Sequence, residues 1–144
     1  MNKLQIKVVD YREQLQPIKH IRIKVFQEEQ KVAPELEFDD KDATAIQLLA
    51  YLDNEPIGTA RIRNIDQQTA KIERLAVLPK ARKQGIGKQL MEAALEIIAN
   101  QNKQIAIVHA QAYIAQLYTQ LGFEQVGEKF TEAGIPHVKM QKEL

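Results

Sequence analysis

The chain of 144 residues contains no cysteine, and this absence limits its chemistry. Without cysteine there are no disulfides, no thiolate metal sites and no cysteine nucleophile, and the composition agrees with a reducing compartment. The chain also has no apolar run near the roughly 20 residues that cross a bilayer. Its first residues, 1–4, lack the apolar stretch of a signal peptide. We therefore expect a cytoplasmic protein with no membrane partner.

Neither sign of charge is in excess, because 20 lysines and arginines face 19 aspartates and glutamates, for a net charge of +1. Nucleic-acid-binding proteins usually show a basic excess or a basic face, so we expect no nucleic-acid partner. Hydrophobic residues make up 44% of the chain and charged residues 27%, close to the globular average. No repeat, low-complexity tract or Gly/Ser linker divides the sequence, which predicts a single domain over residues 1–144.

The spacing of apolar residues predicts helices and strands in mixed order. Helical spacing occurs over residues 13–29, 85–100 and 112–121. Strand-like runs cover residues 4–8, 46–52, 57–65, 70–78, 104–108, 123–126 and 137–140. The acidic segment 31–42 is predicted to be a loop, and Gly122 suits the left-handed position that ends the last helix. This order, βαβββαβαββ, favours an α/β or α+β fold with helices on the faces of the sheet.

The segment 73–88, ERLAVLPKARKQGIGK, runs from a strand through a loop into a helix. Gly85 and Gly87 allow positive φ and a close approach of the backbone to a ligand. The unpaired N–H groups of the first helical turn, together with the helix dipole, make an anion site. Positive charge is added by Arg82, Lys83 and Lys88. The segment therefore predicts a site for a phosphate or a pyrophosphate.

Three phosphate-binding patterns compete for this loop. A Walker A loop requires a glycine where Arg82 stands and a serine or threonine where Gln89 stands. A dinucleotide fingerprint requires a third glycine where Leu90 stands. The pattern [Q/R]-x-x-G-x-[G/A] is satisfied by Arg82, Gly85 and Gly87. The loop therefore resembles the acetyl-CoA pyrophosphate loop of the GNAT (Gcn5-related N-acetyltransferase) superfamily.

Other segments extend this resemblance over nearly the whole chain. The strand 74–79, RLAVLP, is similar to the GNAT strand whose backbone pairs with pantetheine, and 115–124, AQLYTQLGFE, resembles the second GNAT signature. The segments 22–30 and 132–140 resemble the ElaA-like branch of small bacterial GNAT proteins. The closing stretch is also similar to that of the glyphosate N-acetyltransferases.

The resemblance implies a single GNAT domain with a mixed central sheet, helices on both faces, and strands 70–78 and 104–108 splayed to admit pantetheine. It implies direct transfer of acetyl from acetyl-CoA, as co-substrate, to a primary amine of a small molecule or peptide, with no metal. A homodimer is common in the superfamily. The residues expected to bind the cofactor are Leu75, Ala76, Val77, Arg82, Lys83, Gln84, Gly85, Ile86, Gly87 and Lys88.

Three catalytic candidates follow from the resemblance, and each has a structural alternative. Tyr118 either packs in the core or protonates the leaving thiolate, since a phenol with a pKa near 10 stays protonated at neutral pH. His137 is either a strand-edge residue or the base that deprotonates the amine. Glu73 is either a surface carboxylate, sharing a face with Leu75 and Val77 by alternation, or a base that acts through water.

The acceptor side of the site is less defined in the sequence. Candidates are Glu29, His109 and Gln111, and the acidic segment around 28–42 predicts a wall that attracts a protonated amine. The strand arginines Arg61, Arg63 and Arg74 either balance charge or grip an acidic substrate. A different class of function, an acyl-CoA-binding module or sensor without transfer, has the same phosphate loop.

Overall fold

A computed structural model describes residues 3–144, so residues 1 and 2 of the predicted domain lie outside the described part. The strands are β1 (Leu4–Val9), β2 (Ile46–Leu52), β3 (Glu55–Asn64), β4 (Thr69–Val77), β5 (Ile105–Gln111), β6 (Glu124–Gln125), β7 (Phe130–Glu132) and β8 (Ile135–Glu143). The helices are α1 (Leu15–Arg22), α2 (Pro34–Glu37), α3 (Ile86–Asn100) and α4 (Ala115–Gln120). A π-helical segment, Ile23–Glu29, extends α1.

The strands form one mixed sheet in the order β1-β2-β3-β4-β5-β8-β6, with β7 paired to β8. Only β4 and β5 run parallel; every other recorded pair within residues 3–144 is antiparallel. The predicted α/β fold with a mixed central sheet is confirmed. None of the helices in this described part of the chain has both the length and the apolar character needed to cross a membrane.

Helices cover both faces of the sheet, as predicted. A Cβ at Gly58 in β3 would lie 3.0 Å from the Leu90 side chain, so this face of β3 packs on α3. Helix α3 turns an apolar stripe toward the sheet, with Leu90, Met91, Ala94 and Ile98 buried. On the opposite face, Arg61 shares Asp42 with Arg22 of α1.

Strands β4 and β5 separate after a short parallel pairing. They pair from Thr69 opposite Ile105 to Ile72 opposite Val108, and beyond that point they have no common register. Strand β4 continues to Val77 and β5 to Gln111, so the two strand ends form the walls of a gap in the sheet. The predicted splay of these strands is confirmed.

A β-bulge at Arg74 changes the direction of β4 within this gap. Glu73 pairs with Arg61 and Ala76 with Thr59, so β4 has one extra residue against β3. Arg74 has φ 56°, in the left-handed region, which fits a residue that breaks the pleat. The expectation that Glu73 shares a face with Leu75 and Val77 is wrong, because the bulge places it on the face of Ala76.

Three local features differ from the sequence prediction or refine it. The predicted loop 31–42 contains the short helix α2, which Pro34 begins at a position that suits its fixed φ. The predicted helix 112–121 starts as a 3₁₀ turn, Ala112–Ile114, before α4. Strand β7 is absent from the prediction. Gly122 does adopt the left-handed conformation, with φ 94°, and so confirms the predicted helix end.

Candidate functional site

A cavity of about 360 Å³ opens where β4 and β5 separate. Its wall is formed by the ends of these strands, the segment after α1, α4, and the turn between β7 and β8. The residues singled out in the sequence that line it are Arg63, Glu73, Arg74, Leu75, His109, Gln111, Tyr118 and His137, together with Glu37 and Asp39 of the acidic segment. Glu29 and the loop 82–88 lie outside this lining.

Tyr118 reaches the cavity from α4 and is held by packing. Its side chain is buried, and its ring meets Phe123 edge-on, with the ring centroids 6.0 Å apart. The N–H of Phe123 donates to the Tyr118 carbonyl at 3.0 Å, a bond that closes α4 around the left-handed Gly122. Burial, with a smaller contribution from Tyr113, raises the pKa of Tyr118 to about 12, so the phenol stays protonated throughout the physiological range.

His137 lies in β8 between β5 and β7, opposite Gln111 on one side and Phe130 on the other. Its Nδ1 is 2.7 Å from the Ile135 carbonyl oxygen. Because a carbonyl oxygen only accepts, Nδ1 carries the hydrogen, and the lone pair of the neutral ring is on Nε2. The ring stacks on Phe130, with centroids 5.9 Å apart, so its orientation is fixed while Nε2 stays available to accept a proton.

Glu132, which sequence reasoning missed, lies between the two histidines of the cavity. One carboxylate oxygen is 3.2 Å from Nδ1 of His109, and the other is 3.7 Å from Nε2 of His137. The carboxylate of Glu132 therefore faces both imidazole rings. The tight turn at Ala133 and Gly134, both at positive φ, brings Glu132 back against β8. The sequence signal was weak because Ala-Gly is not a preferred hairpin pair.

Glu73 is placed in the cavity wall, but its carboxylate is already engaged. It contacts Arg61 at 3.0 Å, Arg63 at 2.5 Å and Lys71 at 3.0 Å. Burial alone would raise the pKa of Glu73, but the hydrogen bond from Arg63 and the charges of Arg61 and Lys71 outweigh burial and lower it to about 2. A carboxylate with so low a pKa is a weak base, which argues against the role considered from the sequence.

Two polar bridges join the end of the π-helical segment to the two walls of the gap. Glu29 accepts two hydrogen bonds from Arg82, at 2.5 and 2.6 Å, and Nε of Arg82 donates to the Val77 carbonyl. Gln111 donates to the Gln30 side chain at 2.8 Å. Glu29 was expected at the acceptor site, but its carboxylate is turned toward Arg82 and partly neutralises the charge expected at the phosphate loop.

The loop before α3 has the backbone geometry of an anion site. Lys83 and Gly85 lie at positive φ, 64° and 75°. The first intrahelical bond runs from Gln89 N–H to the Gly85 carbonyl, and no side chain of residues 3–144 caps this helix end. The N–H groups of residues 86–88 are therefore free to donate to an anion. The Ile86 side chain is buried, so only its backbone is available.

The acidic segment does not form a negatively charged wall. Glu37 and Asp42 are buried, and both contact Arg22, while Asp39 accepts two hydrogen bonds from Arg61. The hydrogen bonds from Arg61 hold the pKa of Asp39 well below its usual range. The expectation of an acidic wall is wrong in this respect, because these three carboxylates are compensated by guanidinium groups behind the cavity.

Comparisons with known proteins agree with this geometry. The family model described as "Acetyltransferase (GNAT) domain" matches residues 10–144. YyaT of Bacillus subtilis (strain 168) is 37% identical over 144 residues, which cover 98% of this chain and 97% of YyaT. The crystal structure of Escherichia coli ElaA superposes with a TM-score of 0.84 at 29% identity, covering 99% of this chain and 100% of ElaA.

A GNAT family acetyltransferase from Elizabethkingia anophelis, solved with acetyl-CoA bound, has the same fold. Its TM-score is 0.70 at 20% identity, and the match covers 99% of this chain and 98% of that one. In the present chain, the separated strands and the free N–H groups before α3 fit a ligand of this kind. The binding of the pantetheine arm by Leu75, Ala76 and Val77, and of the pyrophosphate by residues 82–88, stays a prediction.

The compensated carboxylate of Glu73 predicts a specific pH dependence of stability. Glu73→Gln should lower the free energy of unfolding at neutral pH, because three cations lose a shared anion. The low folded-state pKa of Glu73 makes its contribution complete above its usual 4.5 and progressively lost as the pH falls toward about 2. Urea denaturation across this pH range should therefore show that the free energies of unfolding of wild type and Glu73→Gln converge as the pH falls. Glu92→Gln, a substitution at an exposed position of α3, is the control. A stability difference between wild type and Glu73→Gln that does not change with pH would contradict the low pKa of Glu73.

Proposed function

The chain belongs to the GNAT acetyltransferase family, in its ElaA-like branch, and is an acetyl-CoA-dependent acyltransferase; on that premise we propose that it transfers acetyl directly to a primary amine of a small molecule or peptide. The observation that carries this proposal is the meeting of Tyr118, His137 and the separated ends of β4 and β5 in one cavity. Because the chain has no cysteine, we propose a ternary complex without an acetyl-cysteine step.

His137 is the proposed base. An amine attacks a thioester carbonyl carbon only when its nitrogen lone pair is free, so a proton must leave the ammonium or the attacking nitrogen. The hydrogen bond from Nδ1 to the Ile135 carbonyl leaves Nε2 of His137 to accept that proton. Glu132 then stabilises the imidazolium, because its carboxylate lies 3.7 Å from Nε2. Glu73 is the weaker candidate, since its pKa is about 2.

Tyr118 is the proposed donor to the leaving sulfur. When the carbon–nitrogen bond forms and the carbon–sulfur bond breaks, negative charge collects on the sulfur. A thiol has a pKa of about 8.5, which lies below the value of about 12 for Tyr118. Complete proton transfer from Tyr118 to the thiolate is therefore uphill, and we expect the phenol to stabilise the thiolate mainly as a hydrogen-bond donor.

The competing function is a module that binds acyl-CoA without transferring the acyl group. Its phosphate loop would be the same, but it would have no need for an oriented histidine and a buried phenol in one cavity. Free thiol is released from acetyl-CoA only on transfer, so thiol release across a panel of amines tests the proposal. We expect amine-dependent release with at least one amine; CoA binding without release on any amine would favour the module. Cytoplasmic location and a homodimer stay predictions.

Gly87 tests the phosphate loop. A Cβ at this position would meet only a Val77 methyl group, at 4.0 Å, so Gly87→Ala and Gly87→Asp should both fold. Gly87→Asp places a carboxylate beside the first helical turn and should abolish CoA binding measured by calorimetric titration. Arg82→Ala should weaken binding less, because Glu29 already compensates that guanidinium. Unchanged CoA affinity in Gly87→Asp, with Gly87→Ala as the matched control, would overturn the loop assignment.

Tyr118→Phe keeps the packing on Phe123 and removes the hydroxyl. Acid–base groups typically contribute about 10²–10⁴-fold, and we expect the lower end of this range for a hydrogen-bond donor. The turnover number should therefore fall roughly 10²-fold, with CoA affinity unchanged in the same titration. Tyr113→Phe, at an exposed position, is the control. Wild-type turnover in Tyr118→Phe would assign this residue to packing alone.

His137 and Glu132 are tested by the pH profile of kcat/KM. In the wild type, kcat/KM should rise with pH as the imidazolium loses its proton, and His137→Asn should remove this limb while CoA binding persists. Glu132→Gln should lower kcat/KM, because the imidazolium that forms on proton transfer loses a neighbouring carboxylate. His20→Asn, exposed on α1, should leave the profile unchanged. A limb that persists in His137→Asn would place the base elsewhere.

A further inference from the structure

Three partly buried cations line the cavity without a part in the proposed acetyl transfer. Arg63, Lys71 and Arg74 are only 23%, 12% and 21% exposed in their side chains. All three line the cavity that also holds Tyr118 and His137. Cationic side chains are rarely so far buried unless they are paired, so the anions that compensate them need to be identified.

The carboxylates of this region are fewer than its cations. The cations are Arg22, Arg61, Arg63, Lys71 and Arg74. The carboxylates in contact with them are Glu37, Asp39, Asp42 and Glu73. Arg22 and Arg61, both 1% exposed and behind the wall, contact all four carboxylates between them. Lys41 and Glu132, which are more exposed, also line the cavity. With them the region has six cations and five carboxylates, so one positive charge is left without a matching anion.

Arg74 is the cation with the weakest compensation. Its Nε and Nη2 donate to the carbonyls of Glu37 and Leu36, both at 3.1 Å, and Nη1 has no hydrogen-bond partner within residues 3–144. Its contact with Asp39, at 3.3 Å, is longer than the 2.8 Å contacts that Arg61 makes with the same carboxylate. Burial, and then the charge of Arg61, lowers the pKa of Arg74. A further anion beside this guanidinium would therefore be stabilised.

The backbone at Arg74 also indicates a ligand site. A non-glycine residue at φ 56° inside a strand is strained, and such strain concentrates at active sites and ligand contacts. The bulge inserts Arg74 between Glu73 and Leu75, which both line the cavity, and so adds a guanidinium to the wall of the gap. In a regular strand, the Arg74 side chain would lie on the face opposite to that of Glu73 and Leu75.

We propose that the acceptor is an amine that also carries a carboxylate, and that Arg74 binds the carboxylate, with Arg63 and Lys71 adding positive charge nearby. The inference rests on the proposed function and names the substrate class for the same cavity. A guanidinium with a free N–H matches a carboxylate oxygen in charge and geometry. The volume of about 360 Å³ suits a small molecule of this kind. The amine would then face His137, which lines the same cavity.

Matched amine pairs test this proposal. Thiol release is measured with β-alanine against β-alaninamide and with 4-aminobutyrate against butylamine, with rates corrected for the fraction of unprotonated amine. In the wild type, kcat/KM should favour the carboxylate-bearing member by about tenfold or more, as one charge-assisted hydrogen bond implies. Arg74→Gln should remove this preference and Arg74→Lys should retain part of it. Arg12→Gln, exposed and outside the cavity, is the control for the ratio.

Equilibrium binding gives a second readout that does not depend on turnover. Calorimetric titration of the CoA-saturated protein with 4-aminobutyrate and with butylamine should show weaker binding of 4-aminobutyrate in Arg74→Gln. Thiol release with the neutral amines only, or an equal loss of kcat/KM for both members of a pair in Arg74→Gln, would overturn the inference of a carboxylate-bearing acceptor. Either result would leave the proposed function intact. CoA binding without release from any amine of the panel would contradict the proposed function itself.

Discussion

The loss of pairing between β4 and β5 after Ile72 and Val108 is the constraint on which the site depends. A parallel pair held to its full length would close the sheet and leave no cavity between the strand ends. The bulge at Arg74 is on the β4 side of this gap, and β5 leads directly into the 3₁₀ turn that precedes α4. The same departure from regular pairing therefore frees the β4 backbone for a ligand and brings Tyr118 and His137 to one cavity.

The buried charges behind the cavity hold the segment after α1 against the sheet. Arg22 ties α1 to Glu37 and Asp42, and Arg61 ties β3 to Asp39 and Asp42. Removing one member would leave a buried charge unpaired, which is costly, although the intact pairs are weak evidence for stability by themselves. Their consequence for function is electrostatic. Glu37, Asp39 and Asp42 contact guanidinium groups, so these carboxylates do not give the cavity an acidic wall.

The sequence predicted the features that depend on short segments and missed those that depend on strand pairing. The glycine pattern at 85–87 and the helix end at Gly122 are local conformational requirements. The structure has positive φ at Gly85 and Gly122, whereas Gly87 lies within α3 and does not have positive φ. The bulge at Arg74 arises from the register of β4 on β3, which alternation alone does not reveal. Glu132 reaches the histidines only because β7 folds back on β8. The prediction of an acidic wall was wrong because Arg22 and Arg61, which pair with its carboxylates, are distant from that segment in the sequence or lie on other elements.

The central claim is that the gap between β4 and β5 binds the pantetheine arm and presents the thioester to Tyr118 and His137. A crystal structure of the complex with CoA tests this most directly. We expect pantetheine amides paired with the β4 backbone over residues 75–77, pyrophosphate oxygens at the N–H groups of residues 86–88, and the sulfur in the cavity beside the Tyr118 hydroxyl. A pantetheine arm that runs outside the gap, or a sulfur atom remote from Tyr118 and His137, would contradict the claim.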